Sequence, residues 1–137
     1  MKQSMTKATR GLWNAFPMIL GTILLISLIS VIVPKSFYTT LFSKNILIDS
    51  IVGSSVGSIS AGNPITSYIF GGEMLNQGIG LLAVTAFLVA WVTVGIIQLP
   101  AESTILGKKF AILRNITAFI LSIIVAIVTV LILGVIA

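Results

Sequence analysis

The chain alternates long apolar runs with short polar interruptions, and four apolar regions stand out. The first, Leu12 to Val33, is long enough to cross a bilayer core at ~1.5 Å per helical residue. The second, Ile46 to Met74, is interrupted at its centre. The third, Ile79 to Leu99, carries no charge, and the fourth, Ile116 to Ala137, is rich in β-branched residues. In water those residues favour strand. In lipid an open strand leaves its backbone without partners, so helix is expected instead. The pattern predicts an all-α integral membrane fold with three to four spans, a discontinuous or re-entrant helical segment near 46–76, and a second break near Pro100. Pro17 is expected to kink the first helix and Pro34 to mark its end. Trp13 falls where an interfacial aromatic anchor belongs. Between the first two regions, Phe37, Leu41, Phe42, Ile46 and Leu47 recur at roughly helical spacing, which suits a segment lying at the membrane surface.

Composition sharpens this. Apolar residues make up 57% of the 137 residues and charged ones 8%, whereas a soluble domain carries about 25% charged residues. So few charges cannot cover a core in water, and one membrane domain spanning 1–137 is expected. The formal net charge is +5. The basic residues border apolar runs and form no stripe interleaved with aromatics, so they are read as topology determinants and nucleic acid is not expected as a partner. Without cysteine or histidine, the chain has no thiolate or zinc site and no Ser-His-Asp catalysis; neither a metal, a cofactor nor an enzymatic activity is expected. The basic N-terminus followed by an apolar run resembles a signal peptide. The run is too long for that, and Pro34-Lys35 follows it rather than a small-residue cleavage site, so it is read as a retained span.

Charge placement bears on the number of crossings. If the second region enters and returns on one side, Lys2, Lys7, Arg10, Lys108, Lys109 and Arg114 share a face opposite Lys35 and Lys44, six basic residues against two. If it crosses fully, the balance is three against five. The hairpin gives the clearer positive-inside pattern and is preferred, with the N-terminus cytoplasmic in a multi-pass protein of the cell membrane.

The stretch GSSVGSISAGNPITSYIFGGE, residues 53–73, puts the densest glycine and hydroxyl content in the middle of an apolar segment. Asn63 suits an N-cap and Pro64 the first turn of a new helix, while Gly62 permits a left-handed turn before them. Opened backbone in hydrocarbon costs several kcal/mol per unsatisfied group, so a break persists only where protein or water covers it. Serine hydroxyls at 54, 55, 58 and 60 are available to cover freed groups. Two readings coexist: the break lines a transport path, or Gly53 and Gly57 form a small-xxx-small pair for helix packing. At the second discontinuity Pro100 ends or kinks the third helix, with Gln98, Glu102 and Ser103 close by. Glu102 is read either as a proton or cation site facing the interior or as an interfacial acid paired with Lys108 or Lys109. Glu73 and Asp49 suit the membrane surface or a helix end, Trp91 suits packing, and Asn115 suits a cap for the last helix.

These residues resemble a family of predicted permeases that includes organoarsenical efflux permeases (the YraQ/ArsP type). The likeness runs from about Gly53 to Gly134. It is carried by SISAGNPI at 58–65, by NQGIGLLAVTAFLVAWVTVGIIQLP at 76–100 and by LGKKFAILRNI at 106–116. The family order of a polar break, a loop glycine, an Ala-Phe-Leu helix, a second proline break and a Leu-Gly…Ala…Arg run falls on Pro64, Gly78, Ala86-Phe87-Leu88, Pro100, Leu106-Gly107, Ala111 and Arg114. Many full-length members carry Cys-Ser-Cys-Gly at the first break, where this chain has Ser58, Ile59, Ser60 and Ala61, so soft-metal ligation by thiolates does not carry over. Full-length relatives contain two such halves. The resemblance therefore implies a half-permease that pairs as a homodimer, or as a heterodimer with a similar half.

The expected function is a membrane permease subunit moving a small polar or ionic solute. Ser58, Ser60, Gly62, Asn63, Pro64, Gln98 and Glu102 would line a path near the midplane. Glu102 is the candidate for ion coupling, and Ser60 and Asn63 for polar ligation. The alternative is a small membrane-embedded assembly or regulatory protein whose breaks serve packing only.

Overall fold

A computed structural model describes residues 1–60 and 62–137, which form seven helices and, among the described residues, no strand. Residues 1–34 and 35–137 are separate compact units. The first unit is one helix, α1 (Lys2–Ile32), with Pro17 in its interior. It begins ten residues before the apolar run, because nothing in its polar leader breaks a helix. The Thr6, Thr9, Thr22 and Ser30 hydroxyls each donate to the carbonyl four residues back, so hydroxyls on this helix are satisfied locally. The Trp13 and Phe16 rings stack with centroids 6.4 Å apart.

The second unit holds α2 (Lys35–Leu41), α3 (Ile46–Ile59), α4 (Pro64–Asn76), α5 (Leu81–Thr93), α6 (Leu99–Leu106) and α7 (Lys108–Ile136). Asn45 caps α3 by accepting from the Leu47 N–H, and Asp49 in its first turn accepts from the Ser43 N–H at 2.9 Å, closing the loop before it. Asn63 caps α4 in the same way, accepting from the Ile65 N–H at 2.9 Å, with Pro64 opening the helix. Gly78 (φ +88°) and Gly107 (φ +91°) take backbone angles that side chains resist, and they make the tight turns into α5 and α7.

Helix α5 is the centre of this unit, packing on α3, α4 and α7. A side chain on Gly53 would collide with the Ala83 carbonyl, and one on Gly57 with the Phe87 carbonyl. Contacts that advance four residues on both helices mean that α3 and α5 run parallel, main chain against main chain. Helix α4 runs antiparallel to α5, since Gly62 lies by Trp91 while Gly71 lies by Val84 and Leu88. The Ser54 and Ser122 hydroxyls meet at 3.0 Å between α3 and α7. Ser122 already donates to the Phe119 carbonyl, so Ser54 is the donor. At the far end Phe42, Ile79, Ala83 and Val84 form the buried apolar cluster, with Tyr38, Val52, Met74 and Leu88 packed on it.

Among the described residues two helices, Lys2–Ile32 and Lys108–Ile136, are long and apolar enough to cross a membrane; Ile46–Ile59 and Leu81–Thr93 are apolar but shorter. The third apolar region thus breaks earlier than its proline suggests. Helix α5 ends at Thr93, and Pro100 sits in the first turn of α6, where its missing N–H costs nothing. The last helix starts at Lys108 rather than near Ile116, so Asn115 lies inside it and is not its cap.

Candidate functional site

Because α3 and α5 run parallel, the gap after Ile59 and the gap after Thr93 come to the same level. Backbone and hydroxyl donors cover carbonyls in the last turns of α3 up to Gly57. The Ser60 N–H reaches the Val56 and Gly57 carbonyls, and the hydroxyls of Ser55, Ser58 and Ser60 donate to Ile51, Ser55 and Val56. Gly62 has a positive φ of 159°, a backbone angle that L side chains rarely adopt, so the break does use the conformational freedom of glycine. Space favours glycine there as well, since a Cβ would sit 3.2 Å from the Trp91 ring. The Trp91 indole N–H points at the Gly62 carbonyl at 3.4 Å, and its ring stands edge-on to Phe87, 5.3 Å away.

Between the two gaps lies a cavity of about 150 Å³. Ser58, Ser60, Gly62 and Pro64 line it from the first gap, and Trp91 to Gln98 from the second, with Arg114 of α7 completing the wall. Of the residues singled out from the sequence, Ser58, Ser60, Gly62, Pro64 and Gln98 share this cavity. Asn63 holds the cap of α4 and is not in the lining. Glu102 stands one layer back. Its Oε1 lies 2.5 Å from Arg114 Nη2, and its Oε2 accepts from Asn115 Nδ2 at 3.3 Å. Its cationic partner is therefore Arg114, not Lys108 or Lys109. Ala61 lies outside the described residues.

Asn115 joins the parts. Its Oδ1 accepts the Gly95 N–H at 2.8 Å, and its Nδ2 also donates to the Ala111 carbonyl at 2.9 Å. One buried amide thereby ties the opened end of α5 to α7 and to Glu102 on α6. Arg114, Asn115 and Trp91 carry much of this geometry, and in the sequence their signal is only indirect. Arg114 reads as one of a basic loop group until its place within α7 is known. On the helix, however, it follows Ala111 by three residues, on the face that carries the buried Ala111, Asn115, Ser122 and Ala126. Glu73 accepts from the Gln77 side chain at 2.7 Å near the end of α4, away from this cavity.

Chemically, the wall offers hydroxyls, an amide, an indole face and one guanidinium in an otherwise apolar bundle. The described residues hold no cluster of three or more His, Cys, Asp or Glu that would suit a metal ion. The profile of a family described as a predicted permease (ArsP_1) matches residues 3–134. No curated protein and no solved structure matches the chain.

Proposed function

The chain belongs to the predicted permease family, and on that premise we propose that it moves a small polar or ionic solute across a membrane through the cavity between the two helix gaps. The observation that carries this reading is that both interruptions open onto one polar space. Two unrelated kinks made for packing would have no reason to coincide. Gly53 and Gly57 do serve helix packing, against α5 of the same chain, which accounts for these two glycines but not for the two gaps.

Lengths support a re-entrant arrangement. Helices α3 and α4 are each about 20 Å long at ~1.5 Å per residue, short of a ~30 Å hydrocarbon core. They enter and return as a hairpin, while α5, the second gap and α6 together make one crossing. With α1 and α7 this gives three full crossings, and by the positive-inside count the N-terminus and the start of α7 are cytoplasmic. Asn115 lies about 10 Å along α7 from Lys108. The cavity is therefore displaced from the midplane toward the Lys108 side. One such unit encloses little space, so a symmetric pair, or a pair with a similar half, completes the path. Glu102, paired and half-buried beside the cavity, is the candidate for proton coupling.

Flux in proteoliposomes tests the reading, using a panel of small anions, cations and neutral solutes with Asn63→Leu and Glu102→Gln. A permease transports at least one of them, and at least one variant keeps its fold and elution volume while losing flux. A protein whose gaps serve assembly alone shows no flux in any form, and Asn63→Leu dissociates it.

A further inference from the structure

We propose that the cavity between the helix gaps is a site for a small anion, with Arg114 as its ligand and Glu102 as the internal carboxylate that occupies Arg114 while the site is empty. This rests on the permease reading and names its class of solute. Arg114 is the one charged side chain among the described residues that line the cavity. Its Nη2 sits at the wall, 3.4 Å from where a Cβ on Gly95 would lie. In the rest of the wall the Ser58 and Ser60 hydroxyls and the Trp91 N–H already donate to the Ser55, Val56 and Gly62 carbonyls, which leaves the Gln98 amide as the neutral donor beside Arg114.

The decisive detail is how Arg114 is used. A guanidinium binds an oxyanion best through two parallel N–H groups, Nε together with one terminal nitrogen. Here Glu102 Oε1 takes Nη2 alone, and its other oxygen is turned to Asn115. The Nε of Arg114 is buried and has no hydrogen-bond partner. A buried donor left unanswered is costly, and a bidentate anion at the Nε–Nη2 edge would answer it. A volume near 150 Å³ corresponds to about five waters at ~30 Å³ each, room for an anion the size of acetate or phosphate.

Charge balance then links the anion to a proton. When the anion takes Arg114, Glu102 loses its counter-charge in an apolar setting and accepts a proton from the aqueous phase. Its neutral carboxyl stays in contact with Asn115. One anion and one proton enter together, with no change in net charge. Helix α7 is the element packed on α6. Of its charged residues Arg114 reaches Glu102, while Lys108 and Lys109 are exposed at the helix start and form no ion pair with it. The ends of α3 and α5 that frame the cavity carry no charged residue.

The test uses the full chain in detergent with Trp13→Phe, so that Trp91 is the sole indole. Its emission is titrated with sodium acetate, sodium phosphate and, as a neutral shape match, acetamide. Anion binding at Arg114 predicts a response to acetate or phosphate that strengthens on acidification. Glu102→Gln should tighten it about tenfold, the worth of one charge-assisted contact, and remove its pH dependence. Arg114→Gln abolishes the response, and Arg114→Lys retains a weakened one. Anion responses that are unchanged in Glu102→Gln, or that survive in Arg114→Gln, overturn the proposal. So does a response to acetamide alone, which would leave a permease for neutral solutes standing. If Arg114→Gln does not fold, Glu102→Gln decides by itself. If no probe moves Trp91 in any form, the anion site falls, and the permease reading is then judged on flux.

Discussion

The side chain of Asn115 accepts the Gly95 backbone N–H at 2.8 Å, twenty residues upstream in the gap that follows α5. Helix α5 can stop inside an apolar bundle because this amide replaces the partner its backbone gives up. Asn115→Leu should therefore cost about 1–3 kcal/mol, the penalty of a buried donor left bare. Asn115→Asp keeps the acceptor but places a second carboxylate beside Glu102. It should be destabilised as well, and recover in the Glu102→Gln background. Thermal unfolding in detergent measures both.

Gly57 of α3 and Gly72 of α4 should respond in opposite directions. At Gly53 and Gly57 the obstruction is a main-chain carbonyl of α5, which cannot swing aside. Gly57→Val should lower stability by at least about 2 kcal/mol. Gly72, in the interior of α4, has nothing within 4 Å of an added Cβ. Gly72→Ala should raise stability by about 0.5–1 kcal/mol through helix propensity alone.

Ser54 and Ser122 are each fully or almost fully buried and bridge α3 to α7. A double-mutant cycle to alanine should return a coupling of about 0.6 kcal/mol, the usual worth of such a bond between helices in a membrane. A coupling of zero would mean that α7 is placed by apolar packing alone.

Trp91 closes the first gap by its indole N–H. Trp91→Phe keeps a ring against Phe87 and loses that donor. Hydrogen exchange at Gly62 and Asn63 should quicken, while exchange in α3 is unchanged.

The absence of cysteine makes single-cysteine labelling direct. Under the hairpin arrangement Lys44→Cys and Lys108→Cys react with an impermeant maleimide from opposite faces of the membrane, whereas a full crossing by 46–76 puts them on the same face. Gln98→Cys, at the cavity, should label with a small aqueous reagent. Ile124→Cys, an exposed apolar position on α7, should not.

Some of this arrangement could be read directly from the chain. Asn63-Pro64 announces a helix start by cap chemistry, and that start is where α4 begins. Pro100 carries the same message but reads more readily as a stop. The true stop is set by Val94, whose backbone is extended, and by Gly95, which depends on a side chain twenty residues away. No local pattern encodes such a dependence. Arg114 and Asn115 were hidden for a related reason. With the last helix taken to start near Ile116, the one reads as a loop charge and the other as a cap. Once α7 begins at Lys108 they become neighbours on a helix that meets both Gly95 and Glu102.

The seam in which Gly53 and Gly57 lie on Ala83 and Phe87 also orders the making of the protein. The groove that α3 requires does not exist until translation has passed through α4 and completed α5. If 46–76 enters and returns on one side, the nascent segment would until then turn a bare glycine seam to acyl chains, and it would linger at the headgroup boundary. Under the hairpin arrangement its insertion would be a late event in biogenesis, driven by a downstream helix and not by its own hydrophobicity.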